Sequence, residues 1–398
     1  MTQLPATADV VIVGGGVMGA STAFPLAPRG TKNVVLLERE QFFGAGATGR
    51  CAGGIRHQFA TGINIELSKV SLRMLDNFEA VTGRPALVRK CGYMFVLTRA
   101  ADVARFKQTI ALQRSLGIQT EWLDGAQVQR RLPTCRFADA LAGTFFAEDG
   151  LADPNSVVMG YIDAARRLGA TCHTGISVSG IQSAGGRVSA VQTSAGTIST
   201  PTIINTCGPW SAALAQMAGI ALPVVPVRRQ WLTTTALPDL PPDFPFVVDF
   251  SQSLYFHREG GGVLTGMSDP HQAAGTDQTV EPAWELTHME HACARLPALR
   301  THGAQQVVIT LGAAGAMAID ATGKVSFCGA PQVDAICAVG SGDSFFAGLA
   351  AALCAGAALQ VALRHGVAAG AANTLQLGAG SFSAGRMQQL LAALPQAA

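Results

Sequence analysis

An α/β fold is what this sequence predicts, and three observations predict it. The N-terminus reads strand, glycine turn, helix, strand; the middle alternates helical periods with short strands; and the last hundred or so residues turn Gly/Ala-rich with strand and helix patterns of their own. Val10–Val13 is an unbroken apolar run, Gly14-Gly15-Gly16-Val17-Met18-Gly19 forms the turn, an apolar helical run follows, and Val34–Leu37 is a second strand ending at Glu38. Pro25 and Pro28 fall inside that helical run. An interior proline costs about 3 kcal/mol by removing a backbone donor and clashing with the preceding turn, so the helix is expected to kink or stop early there.

The spacing Gly14-x-Gly16-x-x-Gly19 gains meaning from its place between a buried strand and a helix, the setting of a Rossmann-like dinucleotide site. Gly14 permits the tight turn, Gly16 lets the backbone approach a pyrophosphate, and Gly19 lets helix and strand pack closely. Val17 and Met18 stand with them at the helix N-terminus, whose free N–H groups and dipole favour negative charge. Glu38, with Arg39 beside it, is placed to accept hydrogen bonds from ribose hydroxyls, and its charge disfavours a 2′-phosphate. The motif by itself leaves NAD and FAD both open.

Helices are expected over Ile65–Thr82, Ala101–Leu116 and Asn155–Leu168, and a strand over Val188–Thr193. This is the pattern of an inserted α+β region, with nucleotide-binding parts at about 8–85 and 150–222 and substrate-binding parts at about 86–149 and 223–300. The character changes between Leu299 and Gln306, which places a junction at about residue 300. Beyond it the pattern predicts strands at Val307–Gly312 and Ala335–Val339 and helices at Ser344–Ala355 and Leu359–Leu375. Ser344–Leu363 carries no charge, but its Ala and Gly content, and Gln360 inside it, read as a buried helix rather than a membrane span.

The 398 residues carry 28 Lys+Arg against 26 Asp+Glu, a net charge of +2, so there is no basic footprint for a nucleic acid and a small molecule is the expected partner. Nine cysteines without a C-x-x-C pair predict reduced, mostly buried thiols, neither a disulfide framework nor a zinc site. The lead before Val10 lacks the basic n-region of a signal peptide, and a cytoplasmic protein is expected.

Two further segments carry a resemblance. Gly44-Ala45-Gly46-Ala47-Thr48-Gly49-Arg50-Cys51-Ala52-Gly53-Gly54-Ile55-Arg56-His57-Gln58-Phe59, and Asn205-Thr206-Cys207-Gly208-Pro209-Trp210-Ser211 followed by Val224–Gln230, resemble flavin-contacting segments of the D-amino-acid-oxidase superfamily. The branch resembled holds glycine oxidase, sarcosine oxidase and dimethylglycine dehydrogenase. The resemblance implies FAD as cofactor and oxidation of the C–N bond of a small amino acid or N-methylated amine, with oxygen or a redox partner as electron acceptor. It places Thr48, Gly49 and Arg50 beside the flavin phosphates and ring, Val178 at adenine, and Gly208 and Trp210 at the flavin turn. Arg56 corresponds to an arginine that holds the substrate carboxylate, a role suited to a planar, always-charged fork. A surface salt bridge is the plainer reading of Arg56, and a packing role that of His57. Some relatives attach FAD through a histidine near residues 48–52; that stretch here reads Thr-Gly-Arg-Cys-Ala, so noncovalent FAD is expected.

From about residue 305 the sequence instead resembles the C-terminal part of ribokinase-like sugar kinases of the phosphofructokinase-B type: Val308–Ala316, then Ala338-Val339-Gly340-Ser341-Gly342-Asp343, then Gly366–Asn373. That resemblance implies an anion hole at Gly340–Gly342, Asp343 as base toward a sugar hydroxyl, and ATP with Mg²⁺ along the stretches holding Thr310, Gly312 and Asn373. The sugar-binding half of such a kinase is missing, as expected of a fusion, a rearrangement or a fault in the recorded sequence. Alternatively, Ala335–Leu353 takes the place of the flavin-side strand, glycine loop and helix that the oxidoreductases carry. The architecture expected is therefore an FAD-binding Rossmann-like domain with an inserted mixed-sheet substrate domain, followed by a partial ribokinase-like α/β segment. Two functional alternatives stay open beside amine oxidation: an ATP-dependent sugar kinase and a non-catalytic FAD-binding remnant.

Overall fold

Val10–Val13 is an inner strand of a four-stranded parallel sheet, flanked by Ile203–Asn205 and Val34–Leu37, with Thr171–His173 at the far edge. Its unbroken apolar sequence follows from burial on both faces. Val10, Ile12, Val34 and Leu36 face the helices Val17–Leu26 and Pro154–Arg167 in one core. Val11, Val13, Val35 and Leu37 meet Val191, Ile198 and Leu214 in a second, where the antiparallel sheet Gly196–Ser199, Arg187–Thr193, Val178–Ala184 contributes the other layer. The first helix ends at Leu26 with Pro25 in its last turn, and Ala27–Arg29 continues only as a 3-10 turn, which is the early stop the prolines predict.

The computed structural model describes residues 4–301, 306–320, 324–376, 380 and 382–394; residues 302–305, inside the stretch where the composition changes, lie outside them. The chain forms two compact units, Met1–Pro297 and Ala298–Ala398. In the first, the helix expected over Ile65–Thr82 is two helices, Gly62–Asp76 and Phe78–Thr82. Asn77, whose side chain favours non-helical backbone, breaks it. The break turns Phe78 inward, where it is 2% exposed and meets Tyr161 edge-on at 4.9 Å between centroids.

A mixed seven-stranded sheet forms the rest of this unit, in the order Gln230–Thr233, Gly262–Met267, Leu254–Glu259, Phe246–Asp249, Tyr93–Leu97, Ala142–Phe146, Glu121–Asp124. Its strands come from both sides of the dinucleotide-type segment Pro154–Trp210, and its single parallel pairing joins Phe246–Asp249 to Tyr93–Leu97. The helix Pro282–Arg295 supports it, and the terminal Arg295 reaches back to the buried Asp249.

The second unit has a three-stranded antiparallel sheet, Gln306–Thr310, Ala316–Asp320 and Val325–Cys328, with helices Ser341–Cys354, Leu359–Thr374 and Ala384–Ala393. The strand expected over Ala335–Val339 does not form. Ile336 and Cys337 instead donate their amides to the carbonyl of Thr374, satisfying an acceptor that a helix end leaves open. The uncharged stretch Ser344–Leu363 is divided between two helices by a turn, and no helix among the described residues is long and apolar enough to cross a membrane. The nine cysteines are free thiols, but only Cys135, Cys328 and Cys337 are buried. The expectation of mostly buried thiols is thus corrected: Cys51 sits in the exposed glycine loop and Cys354 at an exposed helix end.

Candidate cofactor and active site

The glycine turn is shaped by what lies behind it. Gly14 has φ +110°, and a Cβ there would stand 2.4 Å from the carbonyl oxygen of Thr206, so the turn and the strand end at Ile203–Asn205 can meet only without a side chain. A Cβ on Gly19 would fall 1.9 Å from the carbonyl of Gly14, the close helix-to-strand packing the spacing predicts. Thr48 Oγ1 accepts the amide of Val17 at 3.1 Å, tying the second loop to the first turn of the helix.

These elements enclose a cavity of about 360 Å³, within the size range of small-molecule and cofactor sites. Gly14, Gly16, Val17, Met18, Glu38, Arg39, Thr48, Arg50, Val178, Gly208 and Trp210 all line it. Of the residues singled out from sequence as cofactor contacts, Gly19 and Gly49 do not. Gly19 is consumed by helix packing, and Gly49 closes a turn through its amide on the Gly44 carbonyl at 2.7 Å. Glu38 is 9% exposed and accepts the amides of Gly15 at 2.6 Å and Glu40 at 2.9 Å. A carboxylate offers about four lone-pair positions, so ribose hydroxyls still find acceptors there. The Arg39 guanidinium lies 3.8 Å over the Trp210 ring, a flat surface in a lining that also includes Ile176 and Val178. Burial first, then the Glu38 charge, pushes the Cys207 thiol, also in the lining, up to about 11. The glycine cradle, the acid at the second strand end and the flat wall together fit a dinucleotide such as FAD.

The loop leaving this cavity crosses one face of the seven-stranded sheet. Trp231, Gly266, Tyr255, Val248, Phe95 and Thr144 lie in register across that face, and Tyr93, Phe246 and His257 form the next row, with Phe246 stacked on Tyr93 at 4.2 Å and on His257 at 4.9 Å. Trp231 Nε1 donates to the Arg50 carbonyl at 2.8 Å. Six residues on, the Arg56 guanidinium sits over Phe59 at 4.5 Å and over Tyr93 and Phe95 at 5.5 Å each, and Nη1 reaches the Tyr93 hydroxyl at 3.5 Å. Its Nε is buried without a hydrogen-bond partner, and no carboxylate among the described residues pairs with it. Arg56 is therefore not the surface salt bridge of the plainer reading. Burial pushes the Tyr93 phenol up to about 12, against the pull of Arg56, and burial does the same to Tyr255; both are neutral donors at ordinary pH.

Sequence reasoning missed what holds Arg56 in place. Asp149, fully buried, accepts the His57 amide at 2.6 Å, His57 Nδ1 at 2.9 Å and Gln58 Nε2 at 3.1 Å, while Gln58 also donates to the Tyr93 carbonyl at 2.8 Å. Asp149 lies more than ninety residues from this loop in sequence, and no local motif announces it. The alternation of aromatic residues at 93, 95, 246 and 255 on strands was the one available signal for the wall.

Asp343 lies in the second unit, exposed in the first turn of Ser341–Cys354 after Gly340 at φ +76°. Asn373, assigned with it to an ATP stretch, is fully buried and engaged: Nδ2 donates to the Val339 carbonyl at 2.8 Å and Oδ1 accepts the Gly380 amide at 2.8 Å.

A family model described as FAD dependent oxidoreductase (DAO) matches residues 9–358 of this chain. Human mitochondrial sarcosine dehydrogenase is 27% identical over 320 residues, covering 77% of this chain and 35% of that protein, and human mitochondrial dimethylglycine dehydrogenase is 29% identical over 269 residues, covering 67% and 31%. The chain thus spans about a third of the length of these curated relatives. Among solved structures, L-proline dehydrogenase from P. horikoshii superposes with a TM-score of 0.69 at 26% identity, covering 75% of this chain and 79% of that one.

Proposed function

We propose, on the premise that this chain belongs to the DAO family of FAD-dependent oxidoreductases, that it binds FAD noncovalently and oxidises the C–N bond of a small amino acid or N-methylated amine. The observation that carries the reading is Arg56: a cation without a carboxylate partner among the described residues, packed on an aromatic wall six residues from the cofactor cavity. A substrate carboxylate would supply the missing anion, and the planar fork would fix its orientation in two places. Tyr93, held neutral by burial, would donate to the same carboxylate or keep the guanidinium in plane. The face around Tyr255 and Phe246 would exclude water from the carbon that reacts. FAD, when bound, supplies the two-electron acceptor for the hydride and passes the electrons on to oxygen or a carrier; the imine product then hydrolyses in water. Visible absorption spectra before and after adding sarcosine, glycine, proline or dimethylglycine test this. Bleaching of the flavin bands by one of them supports it, and bands unmoved by all of them favour the non-catalytic remnant.

The histidine through which some relatives attach FAD has no counterpart among Thr48–Ala52, so acid precipitation is expected to leave the flavin in the supernatant. A yellow pellet, or a colourless protein that cannot be reconstituted with FAD, is the opposing result.

The kinase reading rests on Gly340–Asp343 at a helix N-terminus. Phosphoryl transfer depends almost wholly on holding two substrates in line, worth about 7–11 kcal/mol over free encounter, and the residues up to Pro297, where the sugar-binding half of such a kinase would stand, form a separate unit with the dinucleotide-type sheet. The expected result is therefore negligible ATP-dependent phosphorylation of ribose- or fructose-type acceptors. Robust turnover abolished by Asp343→Asn would promote the kinase over the oxidoreductase.

A further inference from the structure

Gln278 is an exposed residue on an irregular segment, yet it lines the cofactor cavity and accepts a hydrogen bond from Nη1 of Arg50, 228 positions earlier. What holds it there is Arg228, whose side chain is only 13% exposed. Arg228 donates to Gln272 Oε1 at 3.1 Å, Asp277 Oδ2 at 3.0 Å, Thr279 Oγ1 at 3.0 Å and the Thr279 carbonyl. Asp277 in turn accepts the Thr279 amide at 2.9 Å and hydroxyl at 2.8 Å, so the turn 277–279 is pinned with Gln278 at its apex. Gly275 donates to the Pro226 carbonyl at 2.9 Å, and Gln230 exchanges hydrogen bonds with the Glu281 backbone. The same stretch that anchors this turn also holds the other partner, through Trp231 on the Arg50 carbonyl.

We propose that Arg228 is a positioning residue for cofactor retention: by pinning the 272–281 segment it keeps Gln278 on Arg50, closing the cavity wall over the bound dinucleotide. Arg228 does not itself line the cavity; it acts through Gln278. Arg50 is an exposed side chain that would otherwise sample many rotamers. One acceptor on Nη1 orients the guanidinium and leaves its other N–H groups for an anion such as a pyrophosphate. Cofactor escape then requires this contact to open, so the effect falls on release more than on capture.

The inference rests on the reading that the cavity holds FAD, and the test separates the two. Release of FAD from the holoprotein is followed by the rise of flavin fluorescence on dilution, for wild type, Arg228→Ala, Arg228→Lys, Gln278→Ala and the Arg228→Ala/Gln278→Ala pair. Each alanine variant is expected to release FAD about tenfold faster, the loss of one or two hydrogen bonds. The double variant should be no faster than Arg228→Ala, because both changes open one contact. Arg228→Lys, which keeps the charge beside Asp277 but not the fork, should fall between. Unchanged release in Gln278→Ala overturns the inference even where Arg228→Ala fails to fold. So do rates that multiply in the double variant, or an Arg228→Ala protein of lowered Tm that releases FAD at the wild-type rate. A wild-type protein that takes up no FAD overturns the functional reading beneath it.

Discussion

Arg56→Lys is expected to lower kcat/KM for carboxylate-bearing substrates about a hundredfold while the FAD content and the resting spectrum stay those of the wild type. The figure follows from losing a bidentate, charge-assisted pair in a partly dry setting, where each such hydrogen bond contributes about 1.5–3 kcal/mol and a hundredfold corresponds to about 2.7 kcal/mol. Lysine keeps the charge but offers a point instead of a fork, and it cannot lie flat against Phe59, Tyr93 and Phe95 as the guanidinium does. The loop should survive the change, because Asp149 fixes the backbone at the next residue through the His57 amide independently of the Arg56 side chain. An amine substrate without a carboxylate gives the control, since its turnover should change little. Loss of FAD in Arg56→Lys, or equal losses with both substrate types, would show that the arginine serves the cofactor or the fold and not the substrate.

The two halves of this site differ in how far they could be read from the sequence, and the reason is the span of chain over which each is written. Gly14, Gly16, Gly19 and Glu38 fall within 25 consecutive residues, and each acts on backbone geometry or charge at its own position. The setting of strand, turn and helix is likewise local, so the structure adds distances to that reading more than it revises it. Arg56 could be singled out only through resemblance, because its environment is assembled from Tyr93 and Phe95 on another strand and from a loop fixed by Asp149. Gln278 carries no local signature, and Arg228 stands in the segment Val224–Gln230 that only resemblance picks out; what distinguishes the pair is hydrogen bonding between segments some fifty residues apart and a contact with Arg50 across 228. The misplaced strand at Ala335–Val339 has the converse cause. Its unbroken apolar run suits a strand, but the Thr374 carbonyl at the end of Leu359–Thr374 accepts the amides of Ile336 and Cys337 instead.

Arg295→Met should destabilise the first unit by about 3–5 kcal/mol, the cost of leaving a buried charge without its partner. Arg295 donates through Nε to Asp249 at 2.7 Å, and Asp249 is fully buried at the end of the central strand Phe246–Asp249. Through Nη1 and Nη2 the same guanidinium grips Asp139 at 2.6 and 2.9 Å, holding that carboxyl below its usual range. One side chain thus ties the supporting helix to two strand connections, and its plane lies 4.9 Å over the Phe137 ring. Ser251 and Gln252 also donate to Asp249 and soften the loss, but neither carries a charge. Methionine keeps most of the stem, so the comparison isolates charge from packing. If the penalty comes from the stranded carboxylate, then adding Asp249→Asn to Arg295→Met should recover a large part of it, because the amide removes the buried charge and keeps a hydrogen-bonding shape. The measurement is the shift in denaturant midpoint for the two variants, followed by far-UV circular dichroism. A shift for Arg295→Met worth less than about 1 kcal/mol would place this pair with exposed ion pairs, whose contribution is of that size. A double variant less stable than Arg295→Met alone would show that Asp249 holds the strand end through Ser251 and Gln252, with the arginine secondary.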